Sequence, residues 1–174
     1  MRAWQAGDAP QLLDALSADP GLVRQLPAMS NQDEARAWIA TLTGKWVFAL
    51  VVDGLARGQV ALTDVDQRHG TAWFSYWTHP LIRGRGLTSR AAATVADWAL
   101  RDARLRRLEL GHRTNNPASG RVAEKAGFVA EGIERAKLVY AGETFDVRTM
   151  SRLASDPWPA YDPIPLIAVL AETV

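Results

Sequence analysis

"FSYWTHPLIRGRGLTSRA", Phe74 to Ala91, changes its hydrophobic period part-way through, and that change decides the fold. Before it, "TAWFSYWTH" is a short aromatic run of the kind that forms a strand. After it, Leu87, Ala91, Val95 and Trp98 recur at the spacing of one helix face. Between the two lie Gly84 and Gly86, interleaved with Arg83 and Arg85. Beyond the helix, "RLRRLELGH" holds another brief strand. The passage from Ala72 to Leu110 therefore has the length of a parallel strand–helix–strand crossover.

Working outward, "KWVFALVVDG" and "GQVALTDVD" read as strands, and "QRHG" is a turn into the strand already described. Three strands with short links predict an antiparallel meander. Upstream, "AGDAPQLLDALSAD" reads as a helix with Asp8 as N-cap and Pro10 in the first turn. In "SNQDEARAWIATL", Ser30 and Asp33 form an acidic capping box ahead of the apolar positions Ala35, Trp38, Ile39 and Leu42. Downstream, "NPASGRVAEKAG" is a short helix ending at Gly127, and "FVAEGIERAKLVYAGETFDVRTMSRL" is a hairpin turning at "AGE". The order predicts a mixed α+β domain over residues 1–153. A Pro-rich tail, residues 154–174, carries four of the nine prolines and cannot be one regular element before Pro165. Trp158, Tyr161 and "LIAVL" are expected to pack back on the domain or on a partner subunit.

Composition narrows the functional classes. The chain has 174 residues, 48% of them hydrophobic, with a net charge of +1. Such balance gives no general electrostatic case for nucleic acid or an acidic membrane, so any anion binding must be local. There is no cysteine, which excludes thiolate nucleophiles and cysteine-ligated zinc; no metal site is expected. Neither a signal-peptide core nor an apolar run of membrane length is seen, and the expected location is cytoplasmic.

A strand running through glycines into a helix makes an anion site. The first helical N–H groups lack internal partners, the helix dipole adds positive charge, and glycine admits a ligand to the backbone. Arg83 and Arg85 add charge-assisted donors. The same stretch also reads as a solvated turn, and it fits neither a Walker loop nor the three-glycine dinucleotide fingerprint. A second strand–loop–helix, "NNPASGRVAEKAGF", follows on the neighbouring strand. Asn116 there is a natural N-cap, with Pro117 at the first position and Ser119 at the third. Two parallel strands ending beside two helix starts would open a cleft at their carboxyl ends.

With "FSYWTHPLIRGRGLTSRA", "NNPASGRVAEKAGFVAEG" and the closing "GETFDVRTMSRL" in series, the chain resembles the GNAT superfamily of acyl-CoA-dependent N-acetyltransferases. Within it, the likeness is greatest to the branch of ribosomal-protein N-terminal alanine acetyltransferases. The resemblance implies a mostly antiparallel sheet with a splayed parallel strand pair, flanked by helices. It implies acetyl-CoA as acyl-donor cosubstrate. Arg83, Gly84, Arg85, Gly86, Leu87 and Thr88 would cradle its pyrophosphate, although Thr88 stands where Gly or Ala is usual. Backbone groups of Trp77 and Thr78 would pair with the pantetheine arm, and Asn116 and Ser119 would line the other side. By analogy with similar proteins, a homodimer is expected.

The resemblance also implies direct attack of a primary amine on the thioester, without an acyl-enzyme. The tyrosine that many relatives carry before Gly-Phe is replaced by Ala123, and Ser119 would serve the leaving sulfur instead. Glu109 is the candidate base, with His112, His79, Asp64, Asp66 or a water chain as alternatives. Each has a structural reading: Glu109 as partner to an arginine, His79 as a turn residue, His112 as a loop residue. Trp73, Phe74, Tyr76 and Trp77 alternate across both strand faces and are expected mostly in the core. The acceptor is a protein N-terminus, an amino sugar or another small amine. Two other readings stay open: a non-catalytic acyl-CoA-binding or sensing module, and an acyltransferase using another donor such as succinyl-CoA.

Overall fold

Alternation of side chains along the strands builds this molecule in three layers. In the computed structural model, which describes residues 1–167, seven strands form one sheet in the order β1-β2-β3-β4-β5-β7-β6. They are β1 (Arg2–Ala3), β2 (Val47–Val52), β3 (Leu55–Asp66), β4 (Thr71–Thr78), β5 (Arg107–Arg113), β6 (Val129–Tyr140) and β7 (Glu143–Leu153). The helices are α1 (Ala9–Ala18), α2 (Gln32–Ala40), α3 (Leu87–Arg101) and α4 (Pro117–Lys125), with a 3-10 turn at Pro20–Arg24. Every strand pairing is antiparallel except β4 with β5. The mixed α+β reading, the meander and the crossover therefore stand. The two-residue β1 is too short to show a period and was not legible beforehand.

Successive residues send their side chains to opposite faces. Phe48, Leu50, Val60, Leu62, Ala72 and Phe74 bury against α3 and α4 in one core. Their neighbours Val47, Ala49, Ala61 and Trp77 bury against α1 and α2 in the other. Ala91, Ala92, Ala93, Ala96 and Ala99 on α3 are fully buried, so small side chains let this helix lie close to the sheet. A larger residue there would overpack the contact, at about 1–3 kcal/mol.

Two helix starts differ in detail from the expectation. Asp8 occupies the N-cap position of α1, but its carboxylate pairs with Arg2 at 2.7 Å and accepts from the Gln5 amide. At α2 the N-cap is Asn31, one residue after Ser30. Asn31 accepts from the Glu34 amide, and the Glu34 carboxylate accepts from the Ser30 amide at 2.7 Å. Glutamate has the reach for this reciprocal bond that Asp33 lacks.

Beyond β7 the chain turns along α3. The Trp158 ring stacks on the guanidinium of Arg101 at 3.7 Å and lies 4.9 Å from that of Arg152. Asp162 pairs with Arg90, the Ile164 amide donates to Thr94 Oγ1, and the Ile167 amide donates to the Met1 carbonyl. Tyr161, Ile164 and Leu166 pack on the α3-side core; the remainder of "LIAVL" lies outside the described residues.

Candidate active site

The parallel pair β4–β5 holds together for three residue pairs, Thr71–Arg107, Ala72–Leu108 and Trp73–Glu109. Beyond Trp73 the strands part, although β4 stays laddered to β3 as far as Thr78 and β5 to β7 as far as Arg113. The result is a wedge whose two inner main-chain edges have no strand between them. An extended chain laid into it finds peptide groups without ladder partners, which favours a ligand that itself carries amides.

At the open end of β4, Arg83 to Gly86 lead into α3. Gly84 and Gly86 have φ of +78° and +73°, the left-handed region that favours glycine. A Cβ at either would meet nothing within 4 Å, so open space faces the loop. Among the described residues no side chain caps α3, and its first-turn amides at Leu87, Thr88 and Ser89 have no partner. This is a cradle suited to a diphosphate.

The two arginines divide the work. Arg83 donates Nε to the Thr78 carbonyl at 3.1 Å and pairs with Asp19. Its hydrogen bond holds the Asp19 carboxyl below the usual carboxylate range. The Arg83 side chain thus fastens the loop to the Pro20–Arg24 turn. Arg85 is exposed and makes no ion pair among the described residues, so it is the guanidinium free to meet an anion. Thr88 sits one residue inside the helix, and its hydroxyl lies 2.5 Å from that of Thr78. It therefore joins α3 to the end of β4 and is not a cap. Trp77 is buried on the α1–α2 face, with its ring tilted on Trp4.

The second helix start differs from the first. Asn116 Oδ1 accepts from the Ser119 amide at 3.2 Å, and Pro117 has no amide to offer. Asn116 is therefore a cap, and α4 presents fewer free donors than α3. The hydroxyl of Tyr76 donates to the Ser119 carbonyl at 2.7 Å and lies 3.2 Å from Ser119 Oγ. Burial pushes the Tyr76 phenol up to about 12, against an opposing effect of its Ser119 hydrogen bond. Tyr76 thus reaches from β4 to α4 across the top of the wedge. Its alternation on the strand marked only its face; the meeting with Ser119 depends on how α4 is docked.

Glu109 stands at the last rung but not beside Ser119. Leu108 and Leu110 bury on the α3 side, so Glu109 faces the opposite side with Arg107. Arg107 Nε donates to Glu109 at 2.6 Å, while its two terminal nitrogens hold Glu131 at 2.8 and 2.7 Å. The Glu131 carboxyl falls to about 2 because of Arg107, helped by Ser151. Glu109 and Ser119 thus occupy opposite faces, and the carboxylate is committed to an ion pair.

Three of the other base candidates have partners, though Nε2 of His79 and of His112 is buried without a hydrogen bond among the described residues. His79 is buried and accepts the Leu81 amide at Nδ1. His112 Nδ1 lies 3.0 Å from the Arg113 carbonyl, and its ring packs against Gly120, where a Cβ would come within 3.0 Å. Asp66 accepts the His69 amide at the far end of β4.

The model of the acetyltransferase (GNAT) domain family matches residues 1–129. The chain belongs to the GNAT acetyltransferase family. Among curated GNAT relatives, "Probable N-acetyltransferase YjcK" of Bacillus subtilis is 35% identical over 86 residues, covering 49% of this chain and 48% of its own. This GNAT chain spans about half the length of the curated relatives it matches. The crystal structure of a ribosomal-protein-S5-alanine acetyltransferase from Vibrio fischeri superposes with a TM-score of 0.78 at 21% identity, covering 91% of this chain and 94% of that one. RimL, a ribosomal alpha-N-protein acetyltransferase in complex with coenzyme A, has a TM-score of 0.78 at 21% identity, covering 87% and 92%. At such identities the likeness establishes the GNAT fold.

Proposed function

We propose that this GNAT protein transfers an acetyl group from acetyl-CoA to a primary amine, without an acyl-enzyme. The observation that carries this reading is the wedge itself, with an uncapped glycine-rich helix start at one arm and the Tyr76–Ser119 pair at the other. Family membership and the coenzyme A complex of RimL support it.

The residues fit coenzyme A. The Arg83–Thr88 loop and the first-turn amides of α3 would hold its pyrophosphate, with Arg85 supplying charge. The free edge of β4 at Trp77 and Thr78 would pair with the amides of its arm, and α4 at Asn116 and Ser119 would close the other side. When bound, coenzyme A supplies the acyl thioester.

Ser119 Oγ–H donates a hydrogen bond to the leaving sulfur. Tyr76, its phenol pushed up by burial, keeps its proton on the bond to Ser119. Its part is to hold the Ser119 carbonyl and so fix the angle of Oγ. The amine passes its proton to water, because Glu109 is held by Arg107. Stabilising charge at a fixed donor is the larger catalytic effect here.

Thiol release measured across a panel of peptides, amino sugars and polyamines tests the transfer. Thermal stabilisation by coenzyme A and acetyl-CoA tests the cradle. A ligand at 100 times its Kd stabilises by about 2.7 kcal/mol. Stabilisation by ATP but not by coenzyme A would remove this reading.

A further inference from the structure

The Pro20–Arg24 turn bridges the mouth of the wedge. At its start, Asp19 is tied to Arg83 beyond the end of β4. At its other end, the guanidinium of Arg24 lies 5.0 Å from the centre of the Tyr140 ring at the tip of the β6–β7 hairpin. Arg113, the last residue of β5, lies 5.8 Å from the same ring and 5.1 Å from that of Phe145. Two guanidiniums from separate elements therefore converge on one aromatic pair at the mouth.

Neither arginine has a carboxylate within 4.0 Å among the described residues. The neighbouring acids are used elsewhere. Asp19 hydrogen-bonds Arg83 and only acts on Arg24 through charge, Asp146 accepts the Ala136 amide at 2.7 Å, and Glu134 pairs with Lys137. Glu143, at the hairpin turn, joins neither. A guanidinium stacked on a ring keeps its N–H fork free for a carboxylate.

We infer that Arg24 and Arg113 select an acceptor peptide bearing a carboxylate a few residues from its reactive amino terminus. The inference rests on the transferase reading and names its substrate class. Distance supports a peptide over a small amine. Arg113 shares the face of Glu109, whereas Ser119 meets Tyr76 on the α3 side. Side chains on opposite faces of one sheet end several ångströms apart, and an extended chain covers about 3.3 Å per residue. The carboxylate then belongs to the second or third residue. An amino sugar is too short to reach, and a polyamine would bring cation against cation.

The probes are the tetrapeptide amides Ala-Glu-Asp-Gly and Ala-Gln-Asn-Gly, and spermidine. Each is titrated calorimetrically onto the full chain with coenzyme A present, and each is assayed for acetylation. The acidic peptide is expected to bind about tenfold more tightly than its amide counterpart. The preference disappears in the Arg24→Ala, Arg113→Ala double variant and is largely kept in Arg24→Lys, Arg113→Lys. Unchanged melting temperatures exclude a folding effect. Equal binding of the two peptides by the wild type, tighter binding of spermidine, or a preference that survives the alanine double variant overturns the inference. An acidic preference without any stabilisation by coenzyme A keeps the inference and removes the transferase reading.

Discussion

The Tyr76 hydroxyl donates to the Ser119 carbonyl at 2.7 Å, joining two residues 43 positions apart across the divergence of β4 and β5. It ties the first turn of α4 to the strand that carries the glycine loop. If the proposed role of Ser119 holds, the two side chains are coupled in turnover as they are in the fold.

Ser119→Ala should lower kcat by about 100-fold, the low end for a positioned proton or hydrogen-bond donor. Tyr76→Phe should lower kcat by about tenfold with little change in KM, and should cost about 1 kcal/mol of stability. In the double variant the losses should fall short of additivity, as coupled residues do. Full additivity in a double-mutant cycle of kcat would show that the two side chains act independently.

The raised Tyr76 phenol makes an alkaline prediction. Its folded-state value, about 12, exceeds the ordinary 10.0, so the folded chain holds this proton more firmly than the unfolded chain. The associated stability is complete below pH 10.0 and is lost as pH climbs through about 12. Denaturation midpoints should fall over that interval more steeply in the wild type than in Tyr76→Phe. Parallel curves would contradict the burial argument.

Arg83 and Arg85 should separate by readout. Arg85→Ala should raise the Kd for coenzyme A about tenfold and leave melting almost unchanged. Arg83→Ala should lower the melting temperature, because the loop loses its ties to Asp19 and to the Thr78 carbonyl. Calorimetry and melting curves on both variants decide the division.

Glu109→Gln should change kcat by about threefold or less, since a partly exposed carboxylate in an ion pair is worth little. A loss of about 100-fold would instead identify Glu109 as the general base. The pH profile of the variant, with or without its acidic limb, gives an independent check.

The ion pair under the tail should matter most for folding. Arg152 is 1% exposed, donates to Asp97 at 2.6 Å and to the Ala126 carbonyl at 3.0 Å. Asp97→Ala would strand that buried charge and should cost about 3 kcal/mol in denaturant unfolding. Adding Arg152→Met should recover part of the loss.

The sequence revealed elements whose cues are local. Strand alternation around Phe74, helical spacing from Leu87, and Asn116 ahead of Pro117 all report on neighbours a few positions away. What it hid depends on contacts made at long range. Tyr76 read as another core aromatic because nothing near it shows that α4 docks on its hydroxyl. The tie of Arg83 to Asp19 was not legible because the two lie 64 residues apart. Glu109 is the exception: its pairing with an arginine was already one reading of the sequence, and Arg107, two positions earlier on the same face, makes that pair. Helix α2 shows a finer limit: Ser30 and Asp33 read as its cap, but Asn31 caps the helix and Glu34 reaches back to Ser30.

Three rungs are a slender joint for a seven-stranded sheet. On one side, β1 to β4 are laddered together; on the other, β5 to β7 are. The sheet is thus two plates meeting at a short seam where the wedge opens. A molecule seated along the bare edge of β4 and touching α4 splints those plates. Its grip would register as stiffness, with amide exchange slowed on both plates at once, well beyond the atoms it touches.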